Sequence, residues 1–307
     1  MRRNRSGERR DLPLFLLCGS VVNEISAFLD SPMDLLSYGD SIPDGDYRLH
    51  SAFANAINFR RGKLIISLVP PRTGAGPLNL VIKQLPTGAR RLRASRFYFY
   101  LDENRLRKDP AALYSSGIPP ASPAPETVLA NAEALARILV RGAPPKSLAF
   151  VFDSALEKGF SRIFEKLMLV RFKQAVDFLK SGDYARGVKI LRGLGFGLTP
   201  SGDDFISGLL AGFNYALLNL RLDTRTRIEE IFKLAEGNNL ISNAFMRASY
   251  EGRVNAKARR LMAALSGRGR KELEAAAADA LQSGHTSGAD FCAGLVFALR
   301  DALGGGR

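Results

Sequence analysis

The chain has 307 residues, 46% of them hydrophobic, which is enough for one large or two ordinary globular domains. Its 44 lysines and arginines outnumber 30 aspartates and glutamates, so the formal net charge is +14. This excess favours anionic partners, such as phosphate-bearing substrates, nucleic acid or an acidic protein subunit, without choosing among them. Two cysteines, Cys18 and Cys292, are too few for a disulfide framework or a cysteine-based zinc site, so a cytoplasmic location is expected.

A basic arm at residues 1–11 precedes an apolar run at 12–18. This combination resembles a signal peptide, but no Ala-x-Ala cleavage site follows the apolar run. A buried strand is therefore favoured over a targeting segment. No apolar stretch approaches the length of about eighteen residues that a transmembrane helix needs, so we expect no membrane partner.

Residues 12–108 are typical of a β-rich, barrel-like domain, because short apolar runs alternate with turn signals. The runs at 64–69 and 78–82 predict a hairpin, whose long Pro/Gly connection is either a binding loop or an ordinary surface loop. The aromatic run at 97–100 follows an arginine cluster and predicts a strand more than a platform for bases, so nucleic acid is not a favoured partner. A short helical piece is expected at 51–57.

The Pro/Ser-rich stretch at 109–126 predicts a linker, and residues 127–307 have the periodicity of a helical domain. We expect helices at 127–140, 152–180, 183–192, 202–220, 224–236, 238–251, 256–266, 270–282 and 287–303. The predicted fold class is therefore α+β, with a β-rich, barrel-like N-terminal domain followed by an all-helical C-terminal domain.

The most informative stretch, 193–205, reads Gly-Leu-Gly-Phe-Gly-Leu-Thr-Pro-Ser-Gly-Asp-Asp-Phe and leads into one of these helices. Thr199 is predicted as the N-cap and Pro200 as the first helical residue, which places Asp203 and Asp204 in the first turn. Free backbone donors at such a helix start can hold a phosphate, a carboxylate or a similar anion. Neither the Walker ending nor the spacing of a dinucleotide fingerprint is present.

A second copy of this pattern at 284–295 reads Gly-His-Thr-Ser-Gly-Ala-Asp-Phe-Cys-Ala-Gly-Leu. With one gap at Pro200, the matched pairs are Gly197/Gly284, Thr199/Thr286, Ser201/Ser287, Gly202/Gly288, Asp204/Asp290, Phe205/Phe291, Gly208/Gly294 and Leu209/Leu295. The repeat predicts two helix N-termini that converge on one site, although a duplication kept only for packing would leave the same pattern.

The candidate catalytic residues are His285, Asp204 and Asp290. We expect the histidine to exchange a proton and the carboxylates to orient the substrate. The candidate substrate-binding residues are Gly195, Gly197, Thr199, Ser201, Gly202, Asp203, Thr286, Ser287, Gly288, His50, Ser51 and Ser242. An isolated histidine is more often structural, however, and Ser51 has no identifiable base except its neighbour.

The cofactor is undetermined from the sequence. Mg²⁺ is the metal that Asp203 and Asp204 would suit, with anion oxygens completing its shell. Favourable interaction with the helix dipole also explains both carboxylates without a metal.

The glycine loop, the downstream Gly-His-Thr-Ser-Gly-x-Asp and the upstream His-Ser-x-Phe at 50–53 resemble a largely uncharacterised bacterial and archaeal domain family. Its best-known member is the AllH subunit of the three-component oxamate carbamoyltransferase. The resemblance covers about residues 15–303 and departs from the family pattern at Phe196, where proline is more usual. It implies a carbamoyltransferase subunit, or a relative of one, that handles carbamoyl phosphate and a small acid such as oxamate together with other subunits.

Three functions from different classes remain open at this point. The first is an enzyme or enzyme subunit that holds a small anionic substrate at the paired helix starts. The second is a non-catalytic scaffold whose basic surface docks acidic subunits in an oligomer, and the third is a nucleic-acid-binding protein. The Ser-Thr-Arg-Thr signature of ordinary carbamoyltransferases is absent, so their fold is not expected.

Overall fold

The computed structural model describes residues 34–304, so the basic arm, the apolar run at 12–18 and Cys18 lie outside the described residues. A curled sheet of nine strands comes first and a group of helices follows it. The predicted α+β class, with a β-rich part before a helical part, is therefore confirmed.

One continuous sheet contains all nine described strands. They are β1 (Leu35–Gly39), β2 (Gly45–Phe53), β3 (Ala56–Arg61), β4 (Leu64–Val69), β5 (Asn79–Ile82), β6 (Arg91–Ala94), β7 (Tyr98–Leu101), β8 (Asn104–Arg107) and β9 (Leu113–Tyr114). Their order across the sheet is β8-β7-β6-β2-β3-β4-β5-β1-β9. β7 confirms the strand predicted at 97–100. The helical piece expected at 51–57 is wrong, because these residues form the turn and paired ends of the β2–β3 hairpin.

The hairpin predicted from the apolar runs at 64–69 and 78–82 is also wrong. β4 and β5 run parallel, with Ser67 opposite Asn79 and Val69 opposite Val81. A parallel partner requires the chain to travel back along the strand before it pairs, which a tight turn cannot do. The long Pro/Gly connection at 70–78 provides this return, and its Ala75 carbonyl accepts a hydrogen bond from the Ala256 N–H at 2.9 Å.

The two faces of the sheet differ in chemistry. One face forms a core of large apolar side chains, among them Phe59, Ile66 and Leu80. Since side chains alternate along a strand, the residues between them project from the opposite, outer face. That face carries buried Asn58 and Ser67 near its centre and exposed arginines on β2, β3 and β6.

Nine α-helices follow within the described residues. They are α1 (Pro125–Gly142), α2 (Ile163–Lys180), α3 (Tyr184–Leu191), α4 (Ser201–Asn219), α5 (Arg225–Ala235), α6 (Leu240–Tyr250), α7 (Ala256–Ser266), α8 (Arg270–Leu281) and α9 (Ser287–Ala302). The predicted helices lie close to these bounds except at 152–180, where a 3-10 turn, Ser154–Gly159, precedes α2. α4 is buried without interruption from Ser201 to Ala216, so it is the central helix of this part.

The stretch at 109–126, expected as a linker, connects the sheet to α1 and is bonded to both parts. The Ser116 backbone N–H and hydroxyl donate to the Asp40 carboxylate at 3.0 and 2.6 Å, and Arg253 forms an ion pair with the same carboxylate at 2.9 Å. The Tyr114 hydroxyl donates to the Val254 carbonyl at 2.9 Å. None of the helices described between residues 34 and 304 is long and apolar enough to cross a membrane.

Candidate functional site

α4 and α9 are the most extensively packed pair of helices, and they lie side by side with both N-termini at the same end. Two glycines allow this approach. A Cβ atom on Gly208 would lie 2.0 Å from the Phe291 carbonyl oxygen, and one on Gly294 would lie 2.1 Å from the Phe205 carbonyl oxygen. Gly208 of the first copy meets Phe291 of the second, and Gly294 of the second copy meets Phe205 of the first. Because these contacts are reciprocal, an approximate two-fold axis relates the two copies.

The start of α4 differs from its predicted cap, and α9 starts in a similar way. α4 begins at Ser201 with Pro200 at the N-cap position, so the prediction of Thr199 as N-cap is wrong. The Thr199 hydroxyl instead donates to Oδ2 of Asp204 at 2.9 Å. α9 begins at Ser287 after Thr286, and neither helix has a side-chain cap among the described residues. The Gly202 N–H donates to the Leu194 carbonyl at 2.8 Å and the Gly288 N–H to the Ser283 carbonyl at 2.9 Å, so among the described residues the Ser201 and Ser287 N–H groups are first-turn donors left for another acceptor.

The hydroxyl groups of the two starts contact each other reciprocally. Thr199 Oγ1 lies 3.1 Å from Ser287 Oγ, and Ser201 Oγ lies 3.4 Å from Thr286 Oγ1. Each contact joins the threonine of one copy to the serine of the other. The two helix N-termini therefore lie next to each other, and their convergence on one binding site stays a prediction.

The loop before α4 has a backbone that only glycine adopts easily. Gly193, Gly195 and Gly197 have φ angles of 72°, 134° and 95°. A Cβ atom on Gly195 would also lie 2.4 Å from the Ser201 nitrogen. Within residues 34–304, the backbone N–H groups of 196–199 have no hydrogen-bond acceptor. The loop therefore presents unpaired donors beside the start of α4.

Each of the three first-turn aspartates holds a particular segment in place. Asp203 Oδ1 accepts a hydrogen bond from the Gly193 N–H at 2.7 Å, which anchors the beginning of the loop. Asp290 Oδ1 accepts one from the Leu148 N–H at 2.6 Å, which anchors a 3-10 turn. Asp204 holds the Thr199 hydroxyl, so all three carboxyl groups have positioning roles.

Burial raises the pKa of each of these carboxyl groups, because the charged form loses hydration. It raises the pKa of Asp290 to about 7. For Asp204, burial and then repulsion by Asp290 hold the pKa well above its ordinary value. Burial also raises the pKa of Asp203, against the opposing hydrogen bond from Gly193. A protonated carboxyl group can donate a hydrogen bond, so these residues need not repel an anion.

Two buried polar atoms near these helix starts lack a hydrogen-bond partner among the described residues. They are Oδ2 of Asp290 and Oγ of Ser242. Ser242 is on α6 and lies close enough to Asp203 to favour that carboxylate's charged form, although its hydroxyl is not well aligned for a hydrogen bond. Unpaired buried polar atoms are costly, and a bound polar group would relieve that cost.

The described residues provide no cluster of ligands for the Mg²⁺ ion considered from the sequence. Among residues 34–304, no group of three or more histidines, cysteines, aspartates or glutamates is arranged to hold a metal ion. Asp203 and Asp204 bond to different partners, Gly193 and Thr199, although they are adjacent in sequence.

The two histidines lie in different environments. His285 is exposed in the loop before α9, and within the described chain its ring makes no hydrogen bond to the aspartates. His50 is exposed on β2 and its Nδ1 lies 3.0 Å from the Ser51 hydroxyl. No hydrogen bond between described residues joins His50 or Ser51 to the two loops, so the structure places this pair in a cluster of its own.

Some glycines of the repeat are explained by packing without a ligand. A Cβ atom on Gly202 would lie 2.0 Å from the Leu191 carbonyl oxygen, and one on Gly288 would lie 2.0 Å from the Ala280 carbonyl oxygen. Sequence reasoning matched Gly208 with Gly294 but missed their part in the helix contact. Gly208 and Gly212 are four residues apart and so lie on one face of α4, which could have indicated a close helix contact there. It also missed Leu148, whose backbone N–H carries no sequence signal.

Comparison with known proteins finds one similarity, to a family model that matches part of the helical region. Residues 191–299 match the family model described as oxamate carbamoyltransferase subunit AllH. Over these residues the chain is similar to that family. The match includes α4, α9 and both loops, and it confirms the family resemblance, over a shorter range than the sequence comparison suggested. No curated protein and no solved structure matches the chain.

Proposed function

We propose that this chain is a subunit, or a relative of a subunit, of an oxamate carbamoyltransferase-type system, and that it binds a small anion between the starts of α4 and α9. The observation that carries the proposal is the reciprocal pair of hydroxyl contacts, Thr199 with Ser287 and Ser201 with Thr286. These contacts lie within the region that matches the AllH family.

Electrostatics supports an anion at this position. Each helix start carries roughly half a positive charge, and two parallel helices add their effects at the same point. Four hydroxyl groups meet at this point, and the glycine loop with its unpaired backbone donors directly precedes the start of α4. An entering anion would replace the contacts among the hydroxyls with charge-assisted hydrogen bonds, which are about twice as strong.

The proposed ligands are carbamoyl phosphate, inorganic phosphate and a carboxylate such as oxamate. Gly195 and Gly197 would shape the backbone cradle, whereas Gly202 and Gly288 would allow the close packing behind it. Asp204 would donate from its protonated carboxyl group. His285 is exposed beside the start of α9, where it can exchange protons with solvent and a ligand. Ser242 would supply a hydroxyl from α6.

Isothermal calorimetry with oxamate, phosphate and carbamoyl phosphate tests the proposal. Thr199→Ala and Ser287→Ala should each weaken binding by about 10- to 100-fold, since a hydrogen bond to a charged group contributes roughly 1.5–3 kcal/mol. Ser115→Ala, which changes an exposed hydroxyl elsewhere, is the matched control. A wild-type chain that binds none of the three anions, or variants that bind as tightly as wild type, would contradict the proposal.

A second function, docking of a partner subunit, is favoured by the exposed side of α2. Ile163, Phe164, Leu167 and Val170 have 61–83% of their surface exposed, and we call these four residues the α2 patch. Large contiguous apolar surface of this kind marks interaction sites. The patch is continuous with the glycine loop, because the Phe164 and Phe196 rings pack edge-on with centroids 5.8 Å apart.

The chemistry around the α2 patch selects the partner. Exposed Lys166 and Arg171 lie among its apolar residues, so a complementary surface is apolar with an acidic rim. A second copy of this chain is disfavoured because both would carry a net charge of +14. The proposed occupant is another subunit of the carbamoyltransferase system, and its position would cover the loop before α4.

Analytical ultracentrifugation of the chain mixed with purified partner subunits tests the docking proposal. Phe164→Asp and Leu167→Asp should abolish complex formation, whereas Leu218→Asp, at an exposed leucine on α4, should leave it intact. Self-association of wild type at the α2 patch would identify a second copy instead. Complex formation that occurs only after deletion of residues 1–33 would indicate that this segment occupies the α2 patch. Either result would overturn the proposed partner.

A further inference from the structure

A second polar cluster lies on the outer face of the sheet, around a β-bulge in β2. The pairing with β3 passes from Leu49 opposite Phe59 to Ser51 opposite Asn58, so His50 is an extra residue. In a regular strand His50 and Ser51 would point to opposite faces. The bulge turns both toward the same side, with His50 Nδ1 3.0 Å from Ser51 Oγ.

The hydrogen bonds around Ser51 have a defined direction. Buried Ser67 donates its hydroxyl proton to Asn58 Oδ1 at 2.7 Å, so the Asn58 carbonyl is the acceptor. The Asn58 amide must then donate through Nδ2 to Ser51 Oγ, at 3.0 Å. Since Ser51 accepts this bond, its own proton is directed to His50. Three neighbouring strands thus position one half-buried hydroxyl against an exposed imidazole.

Three arginines extend this cluster, and within residues 34–304 none of them has an acidic residue directly opposite it in the β2–β3 or β2–β6 ladder. Arg48 on β2 lies directly opposite Arg60 on β3 and Arg91 on β6, and all three are exposed on the outer face. Like charges directly opposite each other are destabilising. The adjoining pair, Arg93 with Asp46, is compensated by an ion pair at 2.8 Å. A bound phosphate group would compensate the arginine row in the same way.

We propose that Ser51 is a nucleophile that accepts the acyl group of a small acyl phosphate, with His50 as the general base. Ser51 Oγ attacks the carbonyl carbon and forms an ester bond while the bond from that carbon to the phosphate oxygen breaks. The serine proton passes to His50 Nδ1, and inorganic phosphate leaves. Arg48 and Arg60 bind the phosphate, and Asn58 and Ser67 are positioning residues.

Acetyl phosphate is the probe for this inference, used on the full chain. Trypsin releases the peptide 49–60, in which Ser51 is the only serine and which contains no lysine. We expect mass spectrometry to find an acetyl group on Ser51 in wild type and in the control Ser115→Ala, and none in Ser51→Ala. His50→Gln should slow acetylation about 100-fold or more, the usual contribution of a general base.

The arginine assignment has its own readout. Arg60→Gln should slow acetylation by acetyl phosphate at least about tenfold, as expected for a lost charge-assisted bond. The neutral ester p-nitrophenyl acetate should acetylate the same variant at the wild-type rate, because it carries no phosphate. Equal slowing with both reagents would indicate a merely structural role for Arg60 and overturn its assignment.

Several outcomes would overturn the nucleophile itself. These are an unmodified wild-type peptide, an acetyl group that remains in Ser51→Ala, or an unchanged rate in His50→Gln. If Ser51→Ala fails to fold by circular dichroism, Ser51→Cys retains a nucleophile and should yield a thioester adduct instead. The inference stands on residues of the sheet alone, and anion binding between α4 and α9 succeeds or fails in a separate experiment.

Discussion

The Thr199 hydroxyl lies 3.1 Å from the Ser287 hydroxyl, although 88 residues separate them in the chain. This contact links the two copies of the repeat at the point where their helices start. Its two-fold counterpart, Ser201 with Thr286, is longer at 3.4 Å.

We therefore predict energetic coupling between Thr199 and Ser287 in the folded chain. In a double-mutant cycle of alanine substitutions, the free energies of unfolding should be non-additive by about 0.5–1.5 kcal/mol. The same cycle on Ser201 and Thr286 is the comparison, and its coupling should be smaller because the contact is longer. Denaturation by urea measures both, and strictly additive effects at Thr199 and Ser287 would contradict the prediction.

The contact between α4 and α9 predicts large effects from a single methyl group. Gly208→Ala and Gly294→Ala should each lower the free energy of unfolding by about 1–3 kcal/mol, because the new Cβ atom meets backbone that cannot move aside. Gly117→Ala is the matched control, since open space surrounds that glycine. Urea midpoints similar to the control would show that the two helices lie farther apart.

The raised pKa of Asp290 predicts a pH-dependent penalty. The folded chain binds this proton up to about pH 7, whereas an ordinary aspartate releases it near 3.8. The free energy of unfolding should therefore fall as pH rises from about 4 to about 7, and the loss should persist above that range.

The isosteric change Asp290→Asn removes this titration while it keeps an acceptor for the Leu148 N–H. The stability of Asp290→Asn relative to wild type should increase across this pH range, by roughly a few kcal/mol. Asp223→Asn, at a carboxylate with 77% of its side chain exposed, should show no such trend. Thermal or urea unfolding at several pH values measures the difference in free energy of unfolding between each variant and wild type. If this difference does not change with pH for Asp290→Asn, the pKa of Asp290 is not raised in the folded chain.

Binding of oxamate should also depend on pH. Its carboxylate keeps its charge above about pH 5, whereas Asp290 becomes charged near pH 7 and would then repel it. We expect the affinity measured by calorimetry to decrease as pH rises through 7 and to do so less in Asp290→Asn. An affinity independent of pH in wild type would place the anion away from this carboxyl group.

The sequence predicted the helical half well, because its signals are local. Apolar periodicity located α4 and α9 nearly to the residue, and Pro200 with the aspartates marked the start of α4. The sheet was predicted less well, since strand pairing joins distant segments. Nothing in the runs at 64–69 and 78–82 distinguishes a hairpin from the parallel pair that they form.

The same division applies to the candidate residues. The repeat by itself determined that two similar helix starts exist, and it named Thr199, Ser201, Thr286 and Ser287 as their hydroxyls. Only the tertiary structure decided that these hydroxyls contact one another and that His50 turns toward Ser51, because helix packing and a bulge in strand register create both contacts. Periodicity encodes which face of an element is apolar, but the relative placement of elements depends on close contacts, such as those of Gly208 and Gly294, made across the folded chain.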